Sequence, residues 1–248
     1  MLIITLSTVA MSYLGLCCVL FLFQRAFIYF PQPASGGGTT LILPIPDARV
    51  LVRTRPKEGN RAVIYFGGNA EDVSLSLPDI SHAFPDSALY AMHYRGYGGS
   101  SGVPSQDTLF ADALVLYDQV RATHPDIEVV GRSLGSGVAV YLASRRPVAR
   151  LVLVTPFDSL QDIAVSQFPF IPVRWLLKDK FESRRYAPQV DAPTLMIAAD
   201  NDEIVPRTST DLLRTRFRSG LAAFVVLPGF GHNTISFSPK YLPLLQGQ

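Results

Sequence analysis

The run Gly131-Arg132-Ser133-Leu134-Gly135 constrains the fold of this chain more than any other stretch. An apolar run with β character, residues 127–130, leads into it, and a helix-compatible run, residues 136–143, leads out. Strand, sharp turn and helix form the context in which G-x-S-x-G becomes a nucleophile elbow, with one serine oxygen lifted above a sheet. The glycines two residues before and after the serine leave room for a strained turn. A serine hydroxyl is a poor nucleophile at neutral pH. The motif therefore demands a base within hydrogen-bond reach and an acid to hold the tautomer of that base.

The rest of the chain supplies a frame for such an elbow. Residues 41–45 and 49–54 pattern as an opening hairpin, and 62–66, 88–94, 151–154, 194–199 and 223–227 as further strands. Helix-period segments lie between them at 73–84, 107–123, 136–145 and 206–217, with another at 241–245. Pro78 is expected to kink the first of these or to mark a fresh start. Such alternation predicts a mostly parallel sheet with helices on both faces, whose ligands bind beyond the carboxyl ends of the strands. One stretch breaks the rhythm. Residues 158–191 are longer than a crossover helix requires and contain Phe168-Pro169-Phe170-Ile171-Pro172 and Trp175. They read either as a lid or acyl-binding wall, shaped by Phe168, Phe170 and Trp175, or as short helices that finish the core.

Residues 1–23 carry no charged side chain and, as a helix, span about 34 Å, enough to cross a bilayer core of about 30 Å. A single-pass N-terminal anchor over residues 1–26 is the expectation. A cleaved signal peptide would want a basic leading region and a small-residue cleavage site, which this segment lacks. Arg25, Phe27, Tyr29 and Phe30 resemble an interfacial belt. Residues 27–40, with Pro31, Pro33 and three consecutive glycines, read as a linker into a domain over 41–248. The two cysteines, Cys17 and Cys18, both lie in the apolar segment, which excludes a cysteine-based zinc site in the domain. A net charge of +2 gives no global electrostatic reason to propose a nucleic-acid partner. The glycine-dense loop 94–102 lacks the pattern of a phosphate-binding P-loop.

Of four histidines, His232 alone follows the last strand, in the turn Pro228-Gly229-Phe230-Gly231-His232, where it can be aimed freely. The acid should follow the preceding strand. There Asp200, Asp202 and Glu203 compete. Serine, acid and histidine in that chain order, each after a strand, are what an α/β-hydrolase arrangement requires. The oxyanion formed by attack on a carbonyl needs preorganised N–H donors. One is expected from Leu134, and the second from Asn69, or alternatively Gly68, in the turn Gly67-Gly68-Asn69-Ala70-Glu71. This chemistry requires no cofactor and no metal.

Taken together, GRSLGSG, YRGYGGSSGVPS, YFGGNAED, DNDEIVP and GFGHN resemble the ABHD-type serine hydrolases, often membrane-anchored and grouped with serine aminopeptidase-like proteins. The resemblance runs from about Phe27 to the C-terminus. It implies an α/β-hydrolase fold with a short helical lid, and a Ser133–Asp202–His232 triad with Asp202 favoured because it directly precedes Glu203-Ile204-Val205-Pro206. It also implies a small-molecule or lipid-like acyl ester or thioester as substrate. Gly67 stands where the family turn often has histidine. Two rivals remain at this point: a catalytically silent scaffold of the same fold, and an aminopeptidase, which needs an acidic site for the amine of its substrate.

Overall fold

The computed structural model describes residues 2–247, so Met1, the first residue of the expected anchor, and Gln248 lie outside the described residues. An α-helix, α1 (Leu2–Phe23), precedes an eight-stranded sheet. The strands are β1 (Thr39–Ile42), β2 (Leu51–Arg55), β3 (Arg61–Phe66), β4 (Ala88–Met92), β5 (Asp126–Arg132), β6 (Arg150–Val154), β7 (Thr194–Ala199) and β8 (Ala222–Leu227). Their spatial order is β1-β2-β4-β3-β5-β6-β7-β8. The hairpin β1–β2 and its junction with β4 are antiparallel, and all later pairings are parallel. Helices α2 (Val73–Ala83), α3 (Gln106–Arg121) and α4 (Leu134–Arg145) connect the central strands. The insertion at residues 158–191 holds α5 (Leu160–Gln167), α6 (Val173–Leu176) and α7 (Ser183–Tyr186). Two further helices, α8 (Arg207–Arg214) and α9 (Tyr241–Gln246), complete the domain. This is the mostly parallel sheet expected from the alternation of runs, in the α/β-hydrolase arrangement that the resemblance implies.

Apolar sequence explains the layers. In β3 every residue after Arg61 is buried, because helices cover both faces of a central parallel strand. One core layer gathers Ile64, Phe66, Val129, Val138 and Leu153. The other gathers Val63, Tyr65, Val130, Val152 and Ile197 on the opposite face. Helix starts follow their caps. Asp72 accepts the Ser74 N–H at 3.0 Å ahead of α2, and Ser105 and Thr108 form a reciprocal capping box ahead of α3. Pro78 neither breaks α2 nor restarts it. Burial of Val73, Ile80 and Ala83 holds that helix against the sheet despite the lost N–H.

Residues 28–35 differ from the free linker that their composition suggests. Ile28 and Tyr29 are buried. The Phe30 N–H donates to Asn69 O at 3.0 Å, the Gly98 N–H to Gln32 O at 2.8 Å, and the Ser35 N–H to Asp72 Oδ2 at 2.5 Å. Proline and glycine set local stiffness here, but distant acceptors fix the path. The segment is a strap laid across the carboxyl ends of β3 and β4.

This insertion meets the end of α1. Arg25 Nε and the Tyr29 hydroxyl both donate to Asp179 Oδ2 at 3.1 Å. Gln24 donates to Leu176 O at 3.1 Å and accepts the Lys178 N–H at 2.6 Å. Between them lies an apolar cavity of about 190 Å³ lined by Leu20, Phe27, Ile163, Phe168, Ile171 and Leu176, among others. Of the three aromatics expected to shape an acyl pocket, only Phe168 lines this cavity. Phe170 and Trp175 point outward.

Candidate active site

Ser133 sits at the end of β5 with φ 51° and ψ −119°. It is one of three non-glycine residues with positive φ among the described residues. Such a conformation costs on the order of 1–3 kcal/mol and persists only where its surroundings over-determine it. Here the Ser133 N–H donates to Val154 O at 2.9 Å, and α4 begins at the next residue. The flanking glycines are required by close approach rather than by positive φ. A Cβ on Gly131 would lie 2.5 Å from Gly135 O, and one on Gly135 would overlap Phe66 O.

His232, in the turn after β8, brings Nε2 to 2.8 Å from Ser133 Oγ. Its Nδ1 lies 2.9 Å from Asp202 Oδ2 and 3.0 Å from Oδ1. Both partners are buried, which strengthens their interaction relative to water. The Asp202 carboxylate also accepts the N–H groups of Ile204 at 3.0 Å and Val205 at 2.7 Å. The three competing carboxylates thus part company. Asp202 faces the imidazole, Glu203 accepts the His232 N–H at 3.1 Å, and Asp200 is exposed without a hydrogen bond to His232. The other histidines serve elsewhere. His93 Nε2 lies 3.1 Å from Ser74 Oγ, and burial holds its imidazole below the ordinary pKa. His124 Nδ1 meets Gly59 O at 2.9 Å.

Close to Ser133 also stands the turn after β3. Leu134 is the first residue of α4, so its N–H has no acceptor within the helix. Gly68 approaches closely, since a Cβ placed on it would lie 3.6 Å from Ser133 Cβ. Its N–H, however, donates to Glu71 Oε2 at 2.8 Å. The Asn69 N–H has no hydrogen-bond acceptor among the described residues. Asn69 is held from behind. Its side chain donates to Ile28 O at 2.9 Å, and its carbonyl accepts the Phe30 N–H at 3.0 Å and the Tyr97 hydroxyl at 2.6 Å. The glycine-dense loop thus braces this turn, and Tyr94 adds a 2.8 Å bond to Gly67 O.

Sequence reasoning missed the group at the centre of that turn. Glu71 accepts the Tyr65 and Ser76 hydroxyls at 2.6 Å each, the Gly68 N–H at 2.8 Å and Arg132 Nη1 at 3.0 Å. Burial works against the Arg132 cation, yet Glu71, with Tyr65 and Tyr241 nearby, outweighs it and raises the pKa above the usual guanidinium value. Burial and the neighbouring carboxylate push the Tyr65 phenol well up, so it remains a donor. The glycine at 67 has its reason here. A Cβ would lie 2.6 Å from Val73 Cγ1 and 3.1 Å from Glu71 Cδ. The available signal was a charged residue on each side: Arg132 beside the nucleophile and Glu71 in a glycine turn, each needing a partner once buried. Among the described residues no cluster of histidine, cysteine or carboxylate side chains could hold a metal ion.

The family model described as serine aminopeptidase, S33, matches residues 82–186. An uncharacterized protein of Mycobacterium tuberculosis is 36% identical over 248 aligned residues, covering 92% of this chain and 86% of that protein. The alpha/beta hydrolase domain-containing protein aho-3 of Caenorhabditis elegans is 32% identical over 162 residues, 64% of this chain and 47% of its own length. Among solved structures, an esterase of Pyrococcus furiosus superposes with a TM-score of 0.70 at 16% identity, covering 88% of this chain and 95% of that one. At that identity the likeness is one of fold.

Proposed function

The chain belongs to the ABHD-type α/β-hydrolases, and from that premise we propose that it is a serine hydrolase of an acyl ester or thioester, possessing a lipid-like acyl part, that works at a membrane. The observation that carries this reading is the unbroken contact from Asp202 through His232 to Ser133 Oγ, the last step 2.8 Å long. In the proposed reaction Ser133 Oγ attacks the acyl carbon while His232 Nε2 takes the hydroxyl proton, and Asp202 stabilises the imidazolium. The carbonyl oxygen becomes an oxyanion facing the Leu134 and Asn69 amides. Collapse expels the alcohol or thiol, protonated by His232. Water, deprotonated by the same imidazole, then attacks the acyl-serine and releases the acid.

The membrane part rests on α1. Within Ile3–Phe27 an 18-residue stretch reaches a mean hydropathy of 2.1 with 6% of its residues buried, so the helix is long and apolar enough to cross a bilayer. An anchor fits better than a core helix, which the sheet would cover. The family model's description keeps an aminopeptidase as the second reading.

A fluorophosphonate probe tests the nucleophile: it should label the wild-type protein and spare Ser133→Ala. Failure to label folded wild type would sink the serine-hydrolase reading. A panel of acyl esters of graded chain length against aminoacyl amides separates the two substrate classes, and turnover confined to the amides would replace the ester reading with the aminopeptidase one.

A further inference from the structure

The lid turns its largest apolar side chains outward: Phe168 is 51% exposed, Phe170 86% and Trp175 88%. Clustered exposure of this kind marks an interaction surface, and aromatic side chains favour the boundary between hydrocarbon and water. Three observations select lipid as the occupant.

The first is position. The Tyr13 hydroxyl donates to Phe170 O at 2.8 Å, and Tyr13 lies mid-way along α1. The lid tip therefore stands beside the exposed apolar helix and continues its surface. Lys178 Nζ, 4.4 Å from the centre of the Phe21 ring, ties the lid to α1 again nearer its end.

The second is the backbone. Irregular chain tolerates hydrocarbon only where its polar groups are already satisfied. Here most N–H groups of the tip are bonded internally, Phe168 to Ala164 O at 2.9 Å, Ile171 to Phe168 O at 3.1 Å, Val173 to Ile171 O at 2.7 Å and Trp175 to Pro172 O at 3.0 Å, and the Phe170 N–H is an exception among the described residues. Pro169 and Pro172 have no N–H to satisfy.

The third is charge. From residue 163 to residue 178 the chain contains Arg174 and Lys178 and no acidic side chain. Arg174 is largely exposed, with Asp162 at 3.3 Å on its protein side. Basic side chains flanking an aromatic tip suit anionic headgroups, with their stems lying in the apolar layer.

We propose that the lid tip is a second membrane contact, with Phe170 entering the hydrocarbon beside Tyr13, Phe168 and Trp175 seated in the acyl layer, and Arg174 and Lys178 on the headgroup side of the tip. The inference rests on α1 being membrane-embedded, as proposed above, and is independent of the catalytic chemistry. It places the cavity between α1 and the lid at the lipid surface.

The chain contains a single tryptophan, Trp175, which serves as its own reporter. The full-length protein is reconstituted into vesicles of phosphatidylcholine and phosphatidylglycerol, with and without acyl-brominated phosphatidylcholine. Expected are a blue-shifted Trp175 emission, loss of most of it in the brominated vesicles, and protection from aqueous iodide. Phe170→Asp should reverse all three while the protein stays bound through an alkaline carbonate wash. Emission quenched by iodide and untouched by bromine, in wash-resistant protein, overturns the lid contact and leaves the anchor standing. Shielding from both quenchers also overturns it, in favour of protein covering the tip. Release by carbonate overturns the anchor and this inference together.

Discussion

The two sides of Ser133 are held by different means. On one side, His232 and Asp202 come from turns that directly follow β8 and β7, and their geometry is a property of the sheet. On the other, the turn carrying Asn69 is held by side chains and strap residues remote in sequence: Glu71 and Arg132 beneath it, Ile28, Phe30 and Tyr97 behind it. The first side finds its partners within the two adjoining turns, where Glu203 holds the His232 N–H and the Ile204 and Val205 N–H groups hold Asp202. The second needs many because a glycine turn has little intrinsic preference for one path. The roles proposed for the two sides, proton transfer through His232 and oxyanion binding at the turn, should therefore fail differently when perturbed.

The largest break is expected on the sheet-held side. Asp202→Asn should lower kcat by about 10⁴, as loss of the tautomer-holding acid does in serine hydrolases, while Asp200→Asn should stay within about twofold of wild type. Steady-state kinetics on an activated ester checks this, and equal effects of the two changes would dissolve the assignment of Asp202. On the braced side, Glu71→Ala releases Gly68 and strands Arg132. A kcat loss of about 10²-fold at nearly constant KM is expected, the scale of losing one oxyanion donor, with Glu71→Gln milder. Thermal melts of both variants accompany the kinetics, because removing one partner of a buried ion pair costs about 3–5 kcal/mol. A rise in KM at unchanged kcat would show that the turn binds substrate rather than the oxyanion. The smallest effect is assigned to Asn69→Ala, which keeps the backbone donor and loses the 2.9 Å bond to Ile28 O. A net hydrogen bond of about 1 kcal/mol gives roughly a fivefold drop in kcat. A drop as large as that of Glu71→Ala would mean that the side-chain amide itself touches the substrate.

The same contrast explains what the sequence reveals. Strands such as β3 and β7 are written in continuous apolar runs, and the order of Ser133, Asp202 and His232 along the chain already implies where each stands relative to the sheet. The choice between Asp202 and Asp200 is not in the spacing, since both follow β7. It is made by the turn that sends one carboxylate inward. Gly68 and Asn69 are likewise inseparable in sequence, because what separates them is a hydrogen bond to Glu71. The strap at residues 28–35 has the composition of a linker, and only contacts with Asn69, Asp72 and Gly98 fix it. The outward turn of Phe170 and Trp175 was equally illegible, for an aromatic residue reads the same in sequence whether it faces a pocket or a bilayer.

The pairing of β3 with β5 places Phe66 opposite Gly131. The Asn69 turn begins just after one of these residues and the Ser133 elbow just after the other. One step along a strand is about 3.3 Å, whereas a catalytic constellation tolerates misplacement of about 0.5 Å. The spacing between the proposed nucleophile and the proposed oxyanion donor is thus quantised by the sheet: it is right in one register and useless in its neighbours. Any turnover measured from this chain therefore doubles as a ruler, reporting that these two strands, joined only through a long crossover, have locked at the correct notch.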